Sequence, residues 1–362
     1  MDLEEIDIDL VTNMSLYSGI GRYASELYRI LKPKLPNVNL YTTNYFDFPL
    51  PLGATSLSHK YANKYIQVPF INRSNIKCIS KENILRRSKL HLLGSDYSLI
   101  KYFDKPVITL HEFYFLFPNF LKNMSLEEFI KDLAYNYNLL KLSSYAKRAK
   151  GIVVPSHYVK KQVSQRLGIS STVIHHSVNQ KMFHIRDKIK IRDYLGLPRD
   201  KEIFLNVSGG GSNKNMITLQ NIVEKFKENQ ILIKVNTNLS GKNIINIGKV
   251  DDRIYPLYFS AADAYIHTST NEGFGIPLIE SLSSGLPVVS NKLSTSIEIL
   301  NEAGSYVNDP YDSEEYIDVL SSVLDLKNSV NLSCLSIKRS NSFNEDVVSE
   351  KYIKFYHDIL KS

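Results

Sequence analysis

The segment from Ala264 to Ser290 constrains the fold of this chain more than any other part, because it alternates between strand, turn and helix signals. Its first apolar run, Ala264-Tyr265-Ile266-His267-Thr268, is typical of a buried strand. A turn with Gly273 and Gly275 follows, and Pro277 suits the first turn of a helix, where its missing N–H costs nothing. A strand, a tight turn and a helix in this order point unpaired backbone N–H groups at one spot and favour an anion there.

Two carboxylates, Glu272 and Glu280, stand on either side of this turn. Carboxylates beside a phosphate would be repelled unless they accept hydrogen bonds from another group, and sugar hydroxyls are the obvious donors. A nucleoside diphosphate that carries a sugar satisfies both demands. The alternative interpretation is a structural strand, turn and helix whose two glutamates are merely solvated.

The same residues carry a family resemblance. Glu272-Gly-Phe-Gly-Ile-Pro-Leu-Ile-Glu280, followed by Ser284-Gly285-Leu286-Pro287-Val288-Val289, resembles the donor-site signature of glycosyltransferase family 4, which comprises retaining enzymes with the GT-B fold. The resemblance implies that Glu272 accepts hydrogen bonds from the transferred sugar and that Glu280 accepts them from the ribose. It also implies donor contacts by Gly273, Phe274, Gly275 and Ile276.

Strand and helix signals alternate along most of the chain, which predicts an α/β protein with parallel sheets. We expect strands at 6–12, 107–110, 151–154 and 173–174 in a first series. A second series covers 203–207, 231–235, 244–248, 264–267 and 287–290. The GT-B resemblance implies two Rossmann-like domains that face a central cleft. We place the acceptor domain at residues 1–183, the donor domain at 184–342, and a last helix at 343–362 that packs back on the first domain.

Two further features lie in the predicted N-terminal domain. The loop Ser18-Gly19-Ile20-Gly21 follows the first strand and is similar to the glycine loop that family 4 places there, which makes Gly19 a candidate donor contact. His111 follows the strand at 107–110, where family 4 often has a His-Asp pair near the transferred sugar. Here the pair is His111-Glu112. We therefore expect His111 to be an active-site residue, although a lone histidine is more often structural.

The predicted C-terminal domain begins with Phe204-Leu-Asn-Val-Ser-Gly-Gly-Gly-Ser-Asn-Lys-Asn215, the place of the family's phosphate-binding basic residues. Lys214 fits the role of neutralising the donor diphosphate and the leaving group. The family's upstream arginine is absent, and Gly209 or Asn213 stands where it would be expected. Either backbone N–H groups of the glycine run replace it, or diphosphate binding is weaker. Val250, after the run at 244–248, resembles the base-contacting turn.

Composition and charge narrow the class of protein. With 43% hydrophobic and 22% charged residues, the chain has the composition of a soluble globular protein. Cys78 and Cys334 are far apart, and the acidic N-terminus lacks the pattern of a signal peptide, so we expect a cytoplasmic protein. The net charge is +7, and no Asp or Glu occurs between Leu133 and Arg186. This basic stretch favours an anionic membrane surface on the inner face, with a simply solvated face as the alternative and nucleic acid as the least favoured partner.

The resemblance implies a retaining transfer of a hexose from a nucleoside diphosphate sugar, UDP-glucose-like or GDP-mannose-like, to a hydroxyl of a glycan or lipid-linked acceptor. His111, Glu272 and Lys214 are the candidate catalytic residues. We expect no cofactor and no metal requirement, since Asp7-Ile8-Asp9 lies within the first strand. Three alternatives stay open, namely a GT-B nucleotide-sugar epimerase, a silent sugar-nucleotide binding protein and a DNA-modifying glucosyltransferase.

Overall fold

A computed structural model describes residues 6–12, 19–43, 76–79, 89–94, 105–111 and 146–361 of the protein. The chain divides into two compact units. The N-terminal unit comprises Met1–Ile174 together with Val348–Ser362, and the C-terminal unit comprises His175–Val347. Glu112 and residues 133–145 of the acid-free stretch lie outside the described residues.

The N-terminal unit contains a seven-stranded parallel sheet in the order β3-β2-β1-β4-β5-β6-β7. The chain order reverses between β1 and β4, which is where ligands bind in open sheets of this kind. The strands are β1 (Ile8–Thr12), β2 (Val38–Thr43), β3 (Ile76–Ile79), β4 (Leu90–Leu92), β5 (Val107–Thr109), β6 (Gly151–Val154) and β7 (Thr172–Val173). The helices described here are α1 (Gly19–Leu31) and α2 (His157–Leu167).

The C-terminal unit contains a six-stranded parallel sheet in the order β10-β9-β8-β11-β12-β13, which reverses between β8 and β11. Its strands are β8 (Glu202–Ser208), β9 (Gln230–Asn236), β10 (Ile244–Ile247), β11 (Ala264–His267), β12 (Val288–Asn291) and β13 (Gly304–Val307). Its helices are α3 (Lys188–Leu195), α4 (Met216–Glu224), α5 (Tyr255–Ala261), α6 (Ile276–Ser283), α7 (Ser294–Leu300), α8 (Ser313–Leu324) and α9 (Leu326–Ser340). Apolar clusters cover both faces of this sheet.

The last helix, α10 (Glu345–Lys361), supplies apolar residues to the core of the N-terminal unit. The backbone of Gly151 approaches it closely, because a Cβ added there would stand 2.8 Å from Cζ of Phe355. Its buried face also carries hydroxyl groups. Tyr352 Oη lies 2.5 Å from Tyr23 Oη, and Tyr356 Oη lies 2.6 Å from His91 Nδ1. From Val348 onward, the helix is therefore an integral part of the N-terminal unit.

The first boundary between the units lies after Ile174, nine residues before the predicted one. The second lies after Val347, five residues beyond the predicted one. Val178 and Phe183 pack in the core of the C-terminal unit, and so does Phe343. The backbone N–H of Val178 also donates to the carbonyl of Phe343, with an N–O distance of 2.9 Å. Residues 175–183 and 343–347 thus belong with the C-terminal sheet, because their apolar side chains are buried there.

Candidate donor site in the C-terminal unit

The loop after β8 carries Lys214. The strand ends at Ser208, three exposed glycines follow, and a single 3₁₀ turn at Ser212–Lys214 leads into α4. Asn215 joins the turn to α4 with a φ of 49°, a left-handed conformation that asparagine tolerates better than most residues. The N-terminus of α4 has no side-chain cap, so its first N–H groups remain available as donors.

The loop after β11 carries Glu272 and ends at Gly275, the residue before α6. Gly275 has a φ of 99°, and a Cβ there would stand 2.9 Å from Cδ1 of Leu278, so glycine is required on both grounds. Pro277 occupies the first turn of α6, whose N-terminus also lacks a side-chain cap. The strand, turn and helix expected from the sequence are therefore present, and they place the N-terminus of α6 at the carboxyl end of the sheet.

Hydrogen bonds fix the two loops to each other. Asn213 Nδ2 donates to the carbonyl of Asn271 over 2.9 Å, and the N–H of Thr270 donates to the carbonyl of Asn213 over 2.8 Å. Thr268 Oγ1 donates to the carbonyl of Lys214 over 2.9 Å. Because β8 and β11 flank the reversal of the sheet, this bracing places Lys214 beside Glu272 at that point.

Lys214 and Glu272 form an ion pair with Nζ and Oε1 2.6 Å apart. Their side chains are 22% and 13% exposed, so the pair is reachable from solvent but largely desolvated. Burial raises the pKa of Glu272, but the positive charge of Lys214 and the interaction with His267 outweigh it, and the pKa lies below its ordinary value. The carboxylate is ionised at neutral pH and acts as a hydrogen-bond acceptor.

His267, the last residue of β11, lies next to this pair and was missed by sequence reasoning. Burial lowers its pKa to about 4, and the charges of Glu272 and Lys214 act on it in opposite directions. Its Nε2 is buried and has no hydrogen-bond partner among the described residues. The signal in the sequence was its place at the end of a strand that leads into a glycine turn.

Glu280 lies in α6 and is buried, with a relative exposure of 6%. Its Oε2 accepts a hydrogen bond from the hydroxyl of Tyr255, in the first turn of α5, over 2.7 Å. No local pattern connects these two residues, which are 25 positions apart. The hydroxyl of Tyr255 holds the carboxylate in place, and a carboxylate can accept several hydrogen bonds.

The other predicted donor contacts fall around the same loops. Gly209 is exposed and has open space where a Cβ would stand. Phe274 is only 3% exposed and packs its ring edge-on against His176 with centroids 4.7 Å apart, so its side chain belongs to the core and only its backbone is available to a ligand. Gly273 is buried in the turn, while Val250 and Ile276 are partly buried against the apolar core that contains Tyr255.

The two predicted residues of the N-terminal unit lie at the carboxyl side of its sheet. Gly19 is exposed and is the first residue of α1, which follows β1. His111 is buried, and burial lowers its pKa to about 4. Its Nε2 lies 3.0 Å from the carbonyl of Leu93, and its ring meets Tyr23 edge-on with centroids 4.9 Å apart. The imidazole is therefore neutral and donates to Leu93.

The described residues contain no group of three or more histidine, cysteine or carboxylate side chains that could hold a metal ion. Within the same ranges, no helix combines the length and the apolar character needed to cross a bilayer.

Most of the C-terminal unit is similar to a known protein family. Residues 187–333 match the model of the family described as glycosyl transferases group 1. The O-antigen chain mannosyltransferase RfbU of Salmonella typhimurium is 24% identical over 221 residues, which cover 56% of this chain and 58% of RfbU. The matched region thus spans less than two thirds of that relative.

Solved structures match over nearly the whole chain. Sucrose-phosphate synthase from Thermosynechococcus elongatus superposes with a TM-score of 0.73 at 15% identity, covering 98% of this chain and 100% of the synthase. HepE of Anabaena, in complex with UDP and glucose, superposes with a TM-score of 0.72 at 14% identity, covering 98% and 100% of the two chains. These matches confirm the predicted GT-B fold.

Proposed function

We propose that this protein, whose residues 187–333 form a glycosyl transferases group 1 domain, transfers a hexose from a nucleoside diphosphate sugar to a hydroxyl of an acceptor. The observation that carries the proposal is the pairing of Lys214 with Glu272 at the reversal of a parallel sheet, beside two helix N-termini that lack side-chain caps. A cation and helix N–H groups suit a diphosphate, whereas an ionised carboxylate suits sugar hydroxyls.

Donor binding exchanges the partners of this ion pair. Lys214 turns from Glu272 to the diphosphate, and Glu272 accepts hydrogen bonds from hydroxyls of the transferred sugar. The pair thus keeps both charges compensated while the site is empty, when an isolated buried charge would be costly. The amides of Gly19 and Gly209 add hydrogen bonds to the diphosphate, and those of Gly273, Phe274, Gly275 and Ile276 contact the sugar.

Glu280 binds the ribose of the donor. The hydrogen bond from Tyr255 fixes the orientation of its carboxylate, which accepts hydrogen bonds from the ribose hydroxyls. Val250, which follows β10 and packs near the same core, contacts the base.

The transfer proceeds with retention of configuration. The acceptor hydroxyl attacks on the face from which the diphosphate departs, and a diphosphate oxygen takes its proton. Lys214 and the loop amides stabilise the negative charge that develops on the leaving group. Neutral His111 hydrogen-bonds near the reacting sugar and carries no charge that would oppose an oxocarbenium-like centre. The reaction needs no metal ion, because cationic and amide groups already compensate the diphosphate.

The donor is UDP-glucose-like or GDP-mannose-like. The support comes from HepE, whose structure holds UDP and glucose, and from RfbU, which is named a mannosyltransferase. The acceptor is a glycan or a lipid-linked glycan, and the acid-free stretch between Leu133 and Arg186 suits work at an anionic membrane surface on the cytoplasmic side.

The test is a panel of nucleotide sugars added to the purified protein, with thermal shift and slow donor hydrolysis as readouts. We expect one base and one hexose to raise the unfolding temperature and to be hydrolysed in the absence of acceptor. Failure of every nucleotide sugar to bind would overturn the proposal. Conversion of the donor to its epimer would show that the protein is an epimerase and not a transferase.

A further inference from the structure

Lys234 is a buried lysine whose place beneath the glycine run suggests a role that the sequence motifs do not assign. It lies on β9 next to the last residues of β8, and its relative exposure is 0%. No described carboxylate pairs with it, which is unusual for a fully buried lysine. Some other feature must therefore account for the position of this side chain.

The hydrogen bonds of Lys234 indicate an ammonium group. Its Nζ lies 2.8 Å from the carbonyl oxygen of Ser208, 3.1 Å from Ser208 Oγ and 3.0 Å from the carbonyl oxygen of Val235. The Ser208 hydroxyl donates its own proton to Asn206 Oδ1 over 2.8 Å, so it accepts from Lys234. Three acceptors match the three N–H donors of a charged lysine, whereas a neutral amine has two donors and a lone pair.

The Ser208 carbonyl accepts from Lys234 Nζ and also, over 3.1 Å, from Thr237 Oγ1, and these bonds set the direction of the next amide. The described chain contains no cis peptide bonds, and in a planar trans peptide the C=O and the following N–H point in opposite directions. Because the Ser208 carbonyl points inward to Lys234, the N–H of Gly209 points outward from the sheet. Gly209 is exposed, so this N–H is open to a ligand.

We propose that Lys234 is a positioning residue for the donor diphosphate, which aims the Gly209 N–H at it and supplies a buried positive charge behind the glycine run. This inference rests on the proposed transferase function. It also answers a question that the sequence left open, since family 4 places an arginine near Gly209 and this chain does not. The buried lysine supplies the missing charge from below the loop instead of from its surface.

The surroundings of Lys234 leave its charge uncompensated until an anion binds. The described groups that face it are neutral, namely Asn206 and Ser208 on β8 and, in register on β10, Asn246. The neutral sulfur of Met216, in α4, lies 3.6 Å from the Oγ of the same Ser208. The ionised groups of the neighbouring loops, Lys214 and Glu272, pair with each other. Burial lowers the pKa of Lys234 to about 7, so a diphosphate at the loop draws a proton onto the lysine.

The experiment measures proton uptake on donor binding. UDP-glucose and GDP-mannose serve as probes, because their diphosphates do not titrate near neutrality. Calorimetric titration in buffers of different ionisation enthalpy gives the number of protons taken up. We expect wild-type protein to take up roughly half a proton at pH 7 and nearly one at pH 8, with affinity falling as the pH rises.

Lys234→Met is the diagnostic variant, and Lys201→Met, at the opposite end of β8, is the matched control. We expect Lys234→Met to bind the donor about tenfold more weakly at pH 6.5 and to take up no proton, while the control behaves as wild type. If Lys234→Met fails to fold, the proton uptake of the wild-type protein on donor binding still tests the role of Lys234. Binding without proton uptake overturns the role of Lys234 alone, whereas no binding of either probe at any pH overturns the proposed function.

Discussion

The buried ionisable side chains of the two units differ in charge: the pair in the C-terminal unit is ionised, whereas the histidines of the N-terminal unit are neutral. In the C-terminal unit, Lys214 and Glu272 are ionised and paired 2.6 Å apart. In the N-terminal unit, His91 and His111 are buried among neutral partners, and burial lowers their pKa to about 3 and about 4. Under the proposed function, the C-terminal loops would handle the charges of the donor, while His91 and His111 would act only as neutral hydrogen-bonding groups.

The largest effect should come from removing the cation of the charged pair. Lys214→Met leaves Glu272 buried without its counter-charge and removes a donor to the leaving group, so we expect the turnover number to fall about 10²- to 10³-fold. The Michaelis constant for the donor should change less. Steady-state kinetics checks this, with Lys201→Met as the control. A change confined to the Michaelis constant would show that Lys214 only attracts the donor.

A smaller loss should follow from neutralising the other carboxylate of the donor site. We expect Glu280→Gln to weaken nucleotide-sugar binding roughly ten- to a hundredfold, because hydrogen bonds to charged groups contribute about 1.5–3 kcal/mol. Tyr255→Phe removes only the supporting hydroxyl and should cost less than tenfold. Calorimetric titration measures both. Equal affinities for wild-type protein and Glu280→Gln would remove Glu280 from the ribose site.

The neutral state of His111 predicts an effect that does not vary with pH. His111→Gln should lower the transfer rate about five- to tenfold by a constant factor between pH 5.5 and 8, since the histidine gains no proton in that range. The pH profiles of kcat/KM for the two proteins provide the measurement. If kcat/KM of the wild-type protein changed with a pKa near 6.5 and this change were absent in His111→Gln, the imidazole would be charged during the reaction, contrary to the prediction.

Burial of the histidines also affects the stability of the protein in acid, independently of activity. The folded pKa values of His91, His111 and His267 lie below the ordinary value of about 6.5, so the unfolded chain binds more protons between those values. Their contribution is complete above pH 6.5 and is lost as the pH falls toward 4, by up to about 1.4 kcal/mol per pH unit for each histidine. Urea unfolding of wild-type protein and His267→Gln from pH 7 to 4.5 tests this, and parallel slopes would contradict it.

Local patterns were sufficient to predict much of this architecture. The apolar run at Ala264–His267 forms a strand with those bounds, and the turn with Gly273 and Gly275 leads into α6 as expected. Short strands without a strong pattern were missed. β4 has only three residues, and in β13 only Val307 is buried, so neither gives the alternation or the apolar run that marks a strand.

The site was predictable where one segment contained the signal and hidden where two segments combine. The turn around Glu272 stands in one stretch of sequence, and its glycines and proline reveal the geometry. The hydroxyl of Tyr255 meets Glu280, and the ammonium of Lys234 meets Ser208, through pairings that only the folded sheet creates. The boundary shifts have the same origin, since Phe343 looks like the start of the last helix but is buried with the preceding unit.

Helix α10 affects the order in which the protein folds during synthesis. The ribosome makes the N-terminal sheet before the C-terminal unit, yet Tyr352 and Tyr356, which complete the core of that sheet, are made only after the C-terminal unit. The C-terminal unit is continuous from His175 to Val347 and can fold as soon as it has left the exit tunnel. The part of the protein made first therefore finishes folding last, and its apolar sheet face needs protection in the interval.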